Sequence, residues 1–293
     1  MDGLILVTGG TGTLGRHVVD GLRREGRAVR VLSRHGAPAP AAAPDGSATA
    51  PGSATAPGTT AAPAATPDGV EHVRADLSTG DGVAEAVAGV HTVLHLAGSQ
   101  SGDEVKAANL VSAAREAGVA HLLYISVVGA DRVPVTSSID RATFGYFGAK
   151  RAAELVVEQS GIPWTTLRAA QFHELVHTTV AALAKMPLAP YFKGVRFQPV
   201  AASEVGERMV ELALAAPAGL VPDLAGPRSY PMERLVRDVL EATGRRRLLV
   251  PMTLPGGAFR AVRAGANLAP EHADGRITWE EFLADRYPAT VGG

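Results

Sequence analysis

Eight residues into the chain, Thr8-Gly9-Gly10-Thr11-Gly12-Thr13-Leu14-Gly15 follows directly on the apolar run Leu4-Ile5-Leu6-Val7. The setting constrains the fold more than the glycines themselves, since the chain holds 33 of them. The run before them is a buried-strand pattern. After them Leu14, Val18 and Leu22 recur every four residues, which is a helical one. A strand, a tight glycine turn and a helix N-terminus together form a site for a dinucleotide pyrophosphate. Gly10 is expected to permit the turn, Gly12 to let the backbone approach the phosphates, and Gly15 to let the helix pack on the strand. The helix start adds unpaired N–H groups and the positive end of its dipole. Gly9, Thr11, Thr13 and Leu14 complete the expected cradle.

The next strand, Ala28-Val29-Arg30-Val31-Leu32, bears on which dinucleotide is held. An NAD site usually carries Asp or Glu about 20 residues after the glycines, to accept from the ribose 2′-hydroxyl. Here Ser33-Arg34-His35 stands in that place. A guanidinium suits a 2′-phosphate, which a carboxylate would repel. Arg16 offers a second positive charge, and the expected cofactor is NADP(H).

Residues 37–68 contain 13 Ala and 7 Pro but no Leu, Ile, Val or Phe, and Gly-Ser-Ala-Thr-Ala-Pro occurs at 46–51 and again at 52–57. Such a stretch buries too little apolar surface to offset its ordering entropy, so a disordered surface insert is expected. The strand–helix alternation resumes beyond it. Val70-Glu71-His72-Val73 is a strand ending at Asp76-Leu77, and 79–88 is a short helix. Thr92-Val93-Leu94-His95-Leu96 is a strand closing on Ala97-Gly98, followed by a helix at about 103–117. Leu122-Leu123-Tyr124-Ile125 ends at Ser126; a helix near 146–159 and the strand Trp164-Thr165-Thr166-Leu167 follow. This alternation predicts an α/β fold: a Rossmann-type, doubly wound parallel sheet with ligands at the carboxyl ends of its strands.

Tyr146 and Lys150 stand at i and i+4, on one face of a helix, 20 residues after the strand-end Ser126. A tyrosine with pKa near 10 is a poor acid or base at neutral pH unless its anion is stabilised. A neighbouring ammonium is expected to lower it into the working range, with Ser126 bonding the substrate oxygen while Tyr146 passes the proton.

With these residues the chain resembles the short-chain dehydrogenase/reductase superfamily, in its atypical NmrA-like branch of NAD(P)-binding proteins. The resemblance covers residues 1 to about 215 without the insert. It rests on the glycine motif, Asp76-Leu77, His95-Leu96-Ala97-Gly98, Tyr124-Ile125-Ser126-Val127-Val128-Gly129 and the pair Tyr146 and Lys150. It implies that Asp76 meets the adenine amine and Lys150 the nicotinamide ribose, with Ala97 and Gly98 along the cofactor channel. Many active members also hold an Asn about 25 residues before the serine. Here that region reads Ser101-Gly102-Asp103-Glu104, and Asn109 falls too late.

A competing pattern is His173-Glu174-Leu175-Val176-His177, a literal zinc-hydrolase motif. No His-x-x-Gly-x-x-His extension follows it, since Val180 and Leu183 hold those positions, and only Glu204 and Glu207 suggest a third ligand. The segment begins just after a strand end, so Gln171, Phe172 and His173 are expected at the substrate pocket and no metal is expected. Phe144, Phe147, Tyr191, Phe192 and Phe259 are further candidates for an apolar lining. Residues 1–215 form the expected dinucleotide-binding domain and 216–293 a small C-terminal substrate lobe. That lobe has a strand at Arg247-Leu248-Leu249-Val250-Pro251 and a capped last helix from Thr278.

Zero cysteines exclude disulfides, thiolate metal sites and a cysteine nucleophile. A net charge of −1 gives no electrostatic case for nucleic acid or membrane surfaces. A strand begins within three residues and no apolar run approaches the ~20 residues of a membrane span, so a cytoplasmic protein is expected. The function these readings imply is reduction of a small hydrophobic ketone, enone or quinone by NADP(H), with Tyr146 as proton donor. The alternative is a catalytically silent NADP(H)-binding redox sensor.

Overall fold

The structure, a computed structural model, describes residues 3–34, 64–65, 69–98 and 102–288. The first half alternates strand and helix: β1 (Leu4–Thr8), α1 (Thr13–Arg24), β2 (Val29–Ser33), β3 (Ala64–Ala65), β4 (Val70–Arg74), α2 (Val83–Val87), β5 (Val90–His95), α3 (Asp103–Glu116), β6 (His121–Val127), α4 (Ser138–Glu158) and β7 (Trp164–Ala169). Then come α5 (His173–Ala184), β8 (Leu188–Phe192), β9 (Arg196–Phe197), α6 (Ala202–Leu214), β10 (Gly219–Leu220), β11 (Tyr230–Pro231), α7 (Met232–Ala242), β12 (Leu248–Met252), α8 (Gly257–Arg263) and α9 (Trp279–Arg286).

The main sheet runs β3-β4-β2-β1-β5-β6-β7-β10, parallel throughout except for β3. From β1 the chain winds outward to β2 and β4, then returns to β5 and winds the other way. The expected Rossmann-type sheet is therefore present. Its order reverses between β1 and β5, where a crevice opens at the carboxyl ends of the strands. Strand residues alternate between two cores, as the pleat requires. Ile5, Val7, Leu94, Leu123 and Ile125 face α1 and α6, while Leu6, Val93, Leu122 and Tyr124 face α2, α3 and α4. Val205, Met209 and Leu212 of α6 all point inward, as their spacing predicts.

Most of the 37–68 insert lies outside the described residues. Its end corrects the expectation of disorder, because Ala64 and Ala65 pair antiparallel with His72 and Glu71. The open edge of β4 offers unpaired backbone groups, which the short β3 satisfies regardless of its side chains.

Beyond β7 the expected division between 215 and 216 is crossed in both directions. Gly219 and Leu220 extend the main sheet beside Thr165 and Thr166. Leu188–Phe192 pairs with Leu248–Met252, and Phe197 with Tyr230. One small core joins α5, α7 and α9 through Val176, Val180, Leu235, Val236 and Trp279. Another joins α4 and α8 through Phe147, Ala258, Phe259 and Val262. Among the described residues no helix is long and apolar enough to cross a membrane.

Candidate active site

The glycine loop between β1 and α1 is shaped by contact. Gly9 takes φ +72, the left-handed conformation that favours glycine, and its carbonyl accepts from Gly12 N–H at 3.0 Å. The turn expected of Gly10 thus falls to Gly9. Gly10 instead makes room for β2 and α1, since a Cβ there would lie 2.9 Å from Val31 Cγ1 and 3.3 Å from Val19 Cγ2. A Cβ at Gly15 would lie 2.1 Å from the Gly9 carbonyl oxygen, so α1 closes on the loop only with glycine there. Gly12 caps α1 without a side-chain hydrogen bond, and the first turn holds no acid. Among the described residues that end therefore keeps free N–H groups and the positive end of its dipole. Arg16 leans back and donates to Thr11 O at 3.0 Å.

A cleft of about 610 Å³ runs from this loop along the carboxyl ends of the strands. Gly9, Gly12, Thr13, Leu14, Gly15, Gly98, Ser126, Tyr146 and Lys150 line it, with Gln171 and Phe172 further on. Gly10, Thr11, Ser33, Arg34, Asp76, Leu77 and Ala97 do not line it. Ser33 and Arg34 stand instead at the end of β2, and Asp76 and Leu77 just past the end of β4. Asp76 folds into a local turn, its Oδ1 accepting from Ser78 N–H at 2.7 Å. That bond first, with the Arg34 and Lys106 charges behind it, holds the carboxyl below its usual range. Asn109 donates to Leu77 O at 2.8 Å and so ties this turn to α3, away from the cleft.

Lys150 is buried on α4. Its Nζ donates to Ile125 O at 3.3 Å and pairs with Asp103 Oδ2 at 3.4 Å. It stands 5.1 Å from the Tyr124 ring centroid and 5.8 Å from that of Tyr146. The expected lowering of the Tyr146 phenol is not what the geometry gives. Burial, and then the Asp103 carboxylate, push it up to about 12. The ammonium is committed to Asp103 and a carbonyl instead, and burial pulls Lys150 itself down from its ordinary value. Ser126 is buried at the end of β6, where its hydroxyl lies close enough to the Glu154 carboxyl to help lower that group, and among the described residues it makes no well-formed hydrogen bond. Glu154 is held by Arg168 through two bonds of 2.8 Å. On the other flank His95 bonds with Thr8 Oγ1 at 2.9 Å and stacks on Tyr124. Burial and the Lys150 charge keep that imidazole neutral, down at about 3.

His173 is the exception among the expected pocket residues. It is fully buried, stacked 5.1 Å from Phe282 of α9 and close to Trp279. His177 bonds with Tyr287 Oη at 2.8 Å. The zinc-like spacing on α5 thus faces α9, where aromatic rings cover both imidazoles. Glu204 is engaged by Arg276 and Ile277, and among the described residues no group of three or more His, Asp or Glu stands together to hold a metal. Four of the expected lining aromatics, Phe144, Phe147, Phe192 and Phe259, pack together under α8, and Tyr191 joins the α5–α7 core. The far wall of the cleft is made by residues the sequence did not single out: Leu175, Val176, Thr179 and Val180 of α5, with Phe197 and Met232. Their i, i+4 spacing on α5 was the available signal. Asp103 was visible only as a departure from the expected amide.

Residues 1–214 match the model of the NmrA-like family. The chain belongs to that family. An isoflavone reductase homolog from Zea mays is 33% identical to this NmrA-like chain over 163 residues, 55% of the chain and 46% of the relative. The chain thus matches about half the length of that relative. The fold is also similar to a crystal structure of an NADPH-dependent quinone oxidoreductase from Escherichia coli complexed with NADPH, with TM-score 0.70 and 16% identity over 97% of this chain and 99% of that one. A triphenylmethane reductase from Citrobacter sp. complexed with NADP(H) gives TM-score 0.66 and 18% identity over 96% and 99%. A UDP-glucose 4-epimerase from Thermus thermophilus in complex with NAD gives 0.63 and 19% over 98% and 100%.

Proposed function

We propose that this NmrA-like protein is a cytoplasmic NADP(H)-dependent oxidoreductase that reduces a small hydrophobic ketone, enone or quinone. The observation that carries the proposal is a cleft lined both by the glycine cradle and by Ser126, Tyr146 and Lys150. The fit to a dinucleotide rests on a loop that a Cβ would fill and on a helix N-terminus with no acid in its first turn. Gly9, Gly12 and Thr13 would hold the pyrophosphate, Lys150 the nicotinamide ribose, and Arg34, with no acid beside it on β2, a 2′-phosphate. When bound, NADPH supplies the hydride.

The chain's own part is to orient the substrate and move a proton. Ser126 donates a hydrogen bond to the substrate oxygen, and the Tyr146 hydroxyl gives that oxygen a proton. A phenol held at about 12 is a weak acid, yet at neutral pH it is wholly in the form that donates. The apolar wall of α5 and Phe172 excludes water and receives the substrate's rings. That a quinone oxidoreductase and a triphenylmethane reductase share the fold supports an aromatic substrate.

One observation favours the second reading, a silent NADP(H)-binding redox sensor. Tyr146 is pushed up rather than down, and its cation is taken by Asp103. Screening NADPH oxidation with a panel of quinones and aromatic ketones separates the two. On any substrate that turns over, Tyr146→Phe is expected to lower turnover by roughly 10²–10⁴ while NADPH affinity holds within about twofold. Full activity in that variant removes Tyr146 as the donor. Tight NADPH binding without turnover on any member of the panel supports the sensor.

A further inference from the structure

Asp103 opens α3 and Lys150 lies on α4, and these two helices pack side by side on one face of the sheet. Their charges meet beneath the cleft floor, 3.4 Å apart, with 4% of the Lys150 side chain and 0% of the Asp103 side chain exposed. The other carboxylate oxygen, Oδ1, meets Lys106 Nζ at 3.5 Å, so one carboxylate serves two ammonium groups. Gly98 leaves space for the pair: a Cβ there would lie 2.8 Å from Lys150 Nζ and 3.3 Å from Asp103 Oδ2. Gly98 has no positive φ, and a side chain there would displace the tips of this pair rather than the backbone.

A buried ion pair is poor evidence for stability, because its desolvation cancels most of its attraction. Its position is more informative. An ammonium taken out of water without a carboxylate tends to shed its proton. Of the three Lys150 N–H donors, the Ile125 carbonyl and Asp103 take two, which leaves a third for the cleft that Lys150 lines. We propose that Asp103 is a positioning residue: it keeps the Lys150 ammonium charged and presents it to the ribose hydroxyls of a bound nicotinamide dinucleotide. Asp103 acts through Lys150 and touches neither cofactor nor substrate. The proposal rests on the NADP(H) reading of the cleft and adds to it a reason for Lys150 to keep its proton there.

The titratable groups facing Lys150 are Asp103 and Lys106 of α3, Tyr146 and Glu154 of α4, Tyr124 of β6 and His95 of β5. Burial and Lys106 draw the ammonium down, while Asp103, and more weakly Glu154, draw it up. Asp103→Asn keeps the shape and removes the close charge, so Lys150 loses its proton at lower pH.

The test is the NADPH dissociation constant from pH 6 to 9.5 for the unmodified protein, Asp103→Asn and Lys150→Met. Asp103→Asn is expected to match the unmodified protein within about threefold at pH 6 and to fall behind it by about tenfold or more at pH 9. Lys150→Met is expected to bind weakly at every pH, with no such divergence. Parallel curves for Asp103→Asn and the unmodified protein, with circular dichroism unchanged, overturn the proposal. If Asp103→Asn does not fold, the Lys150 ammonium is titrated in the unmodified protein by NMR, its signal assigned by its loss in Lys150→Met. An ammonium still charged at pH 9 supports the proposal, and one neutral by about pH 8 overturns it. An unmodified protein that binds no NADPH at any pH refutes the cofactor reading instead, and the NMR titration still judges the hold of Asp103 on Lys150.

Discussion

Arg34 is exposed at the end of β2, and its charge reaches Asp76 at the end of the neighbouring β4. A 2′-phosphate arriving there meets a guanidinium with a carboxylate nearby, so the contact lies at the weak end of charge-assisted bonds. NADPH is expected to bind more tightly than NADH. Arg34→Ala should cost NADPH about tenfold in affinity, roughly 1.5 kcal/mol, and leave NADH unchanged. Isothermal titration with both cofactors checks this; equal dissociation constants in the unmodified protein would sink the assignment. Single residues were legible where type and place coincide, as with Gly15 at a helix start. The turn expected at Gly10 falls to Gly9 because adjacent glycines carry no mark of which one takes the positive φ. The commitment of Lys150 to Asp103, 47 positions apart, belongs to tertiary packing that no local pattern encodes.

Helix α5 shows how an element's partner decides its chemistry. On sequence its two histidines shared a face with metal-ligand spacing; in the fold that face meets Trp279, Phe282 and Tyr287. Burial draws His173 down to about 4, against 6.5 in the unfolded chain. Between those values the unfolded chain binds more protons, so the stability His173 contributes is complete above about pH 6.5 and is lost as pH falls toward 4. The loss is at most roughly 3 kcal/mol. The melting temperature, followed by tryptophan fluorescence, should drop less between pH 7.5 and 4.5 for His173→Leu than for the unmodified protein. Equal drops would mean that His173 does not titrate this packing. Helix α4 was only half legible. The expected span 146–159 is its second part, while the element begins at Ser138 behind a capping box of Ser137 and Asp140. Phe144, at φ −126 and ψ 15, breaks the helix just before Tyr146, and that break erased the period in the sequence. The same cap signature at Thr278 and Glu281 was readable because an apolar run follows it.

At the scale of the molecule, 1–215 as dinucleotide-binding part and 216–293 as substrate lobe is proposed as a division of labour, not of folding. The second part completes the first: β10 extends the main sheet, β12 pairs with β8, and Met232 lines the cleft. Alternation of strand and helix made the sheet legible, but β9, β10 and β11 have two residues each, too brief to show a period, and the pairing of β12 with β8 is set by tertiary packing. Two deletions therefore have opposite expected outcomes. Excising 42–59 removes no Leu, Ile, Val or Phe and keeps Ala64 and Ala65, which pair with β4. Shortening that connection lowers its closure entropy by about 1 kcal/mol, so the melting temperature should hold or rise by up to about 3 °C, with NADPH affinity unchanged. Ending the chain at 215 instead uncovers Val176, Val180 and Ala189 on one side and Val127, Val133 and Phe147 on another. Those side chains pack against Leu235, Val236, Trp279, Phe259 and Val262, all of which would be gone. Residues 1–215 alone are expected to retain helical circular dichroism, bind a hydrophobic dye and show no cooperative thermal transition. A cooperative, monomeric 1–215 that binds NADPH as tightly as the whole chain would show that the first part folds alone, with the lobe merely attached.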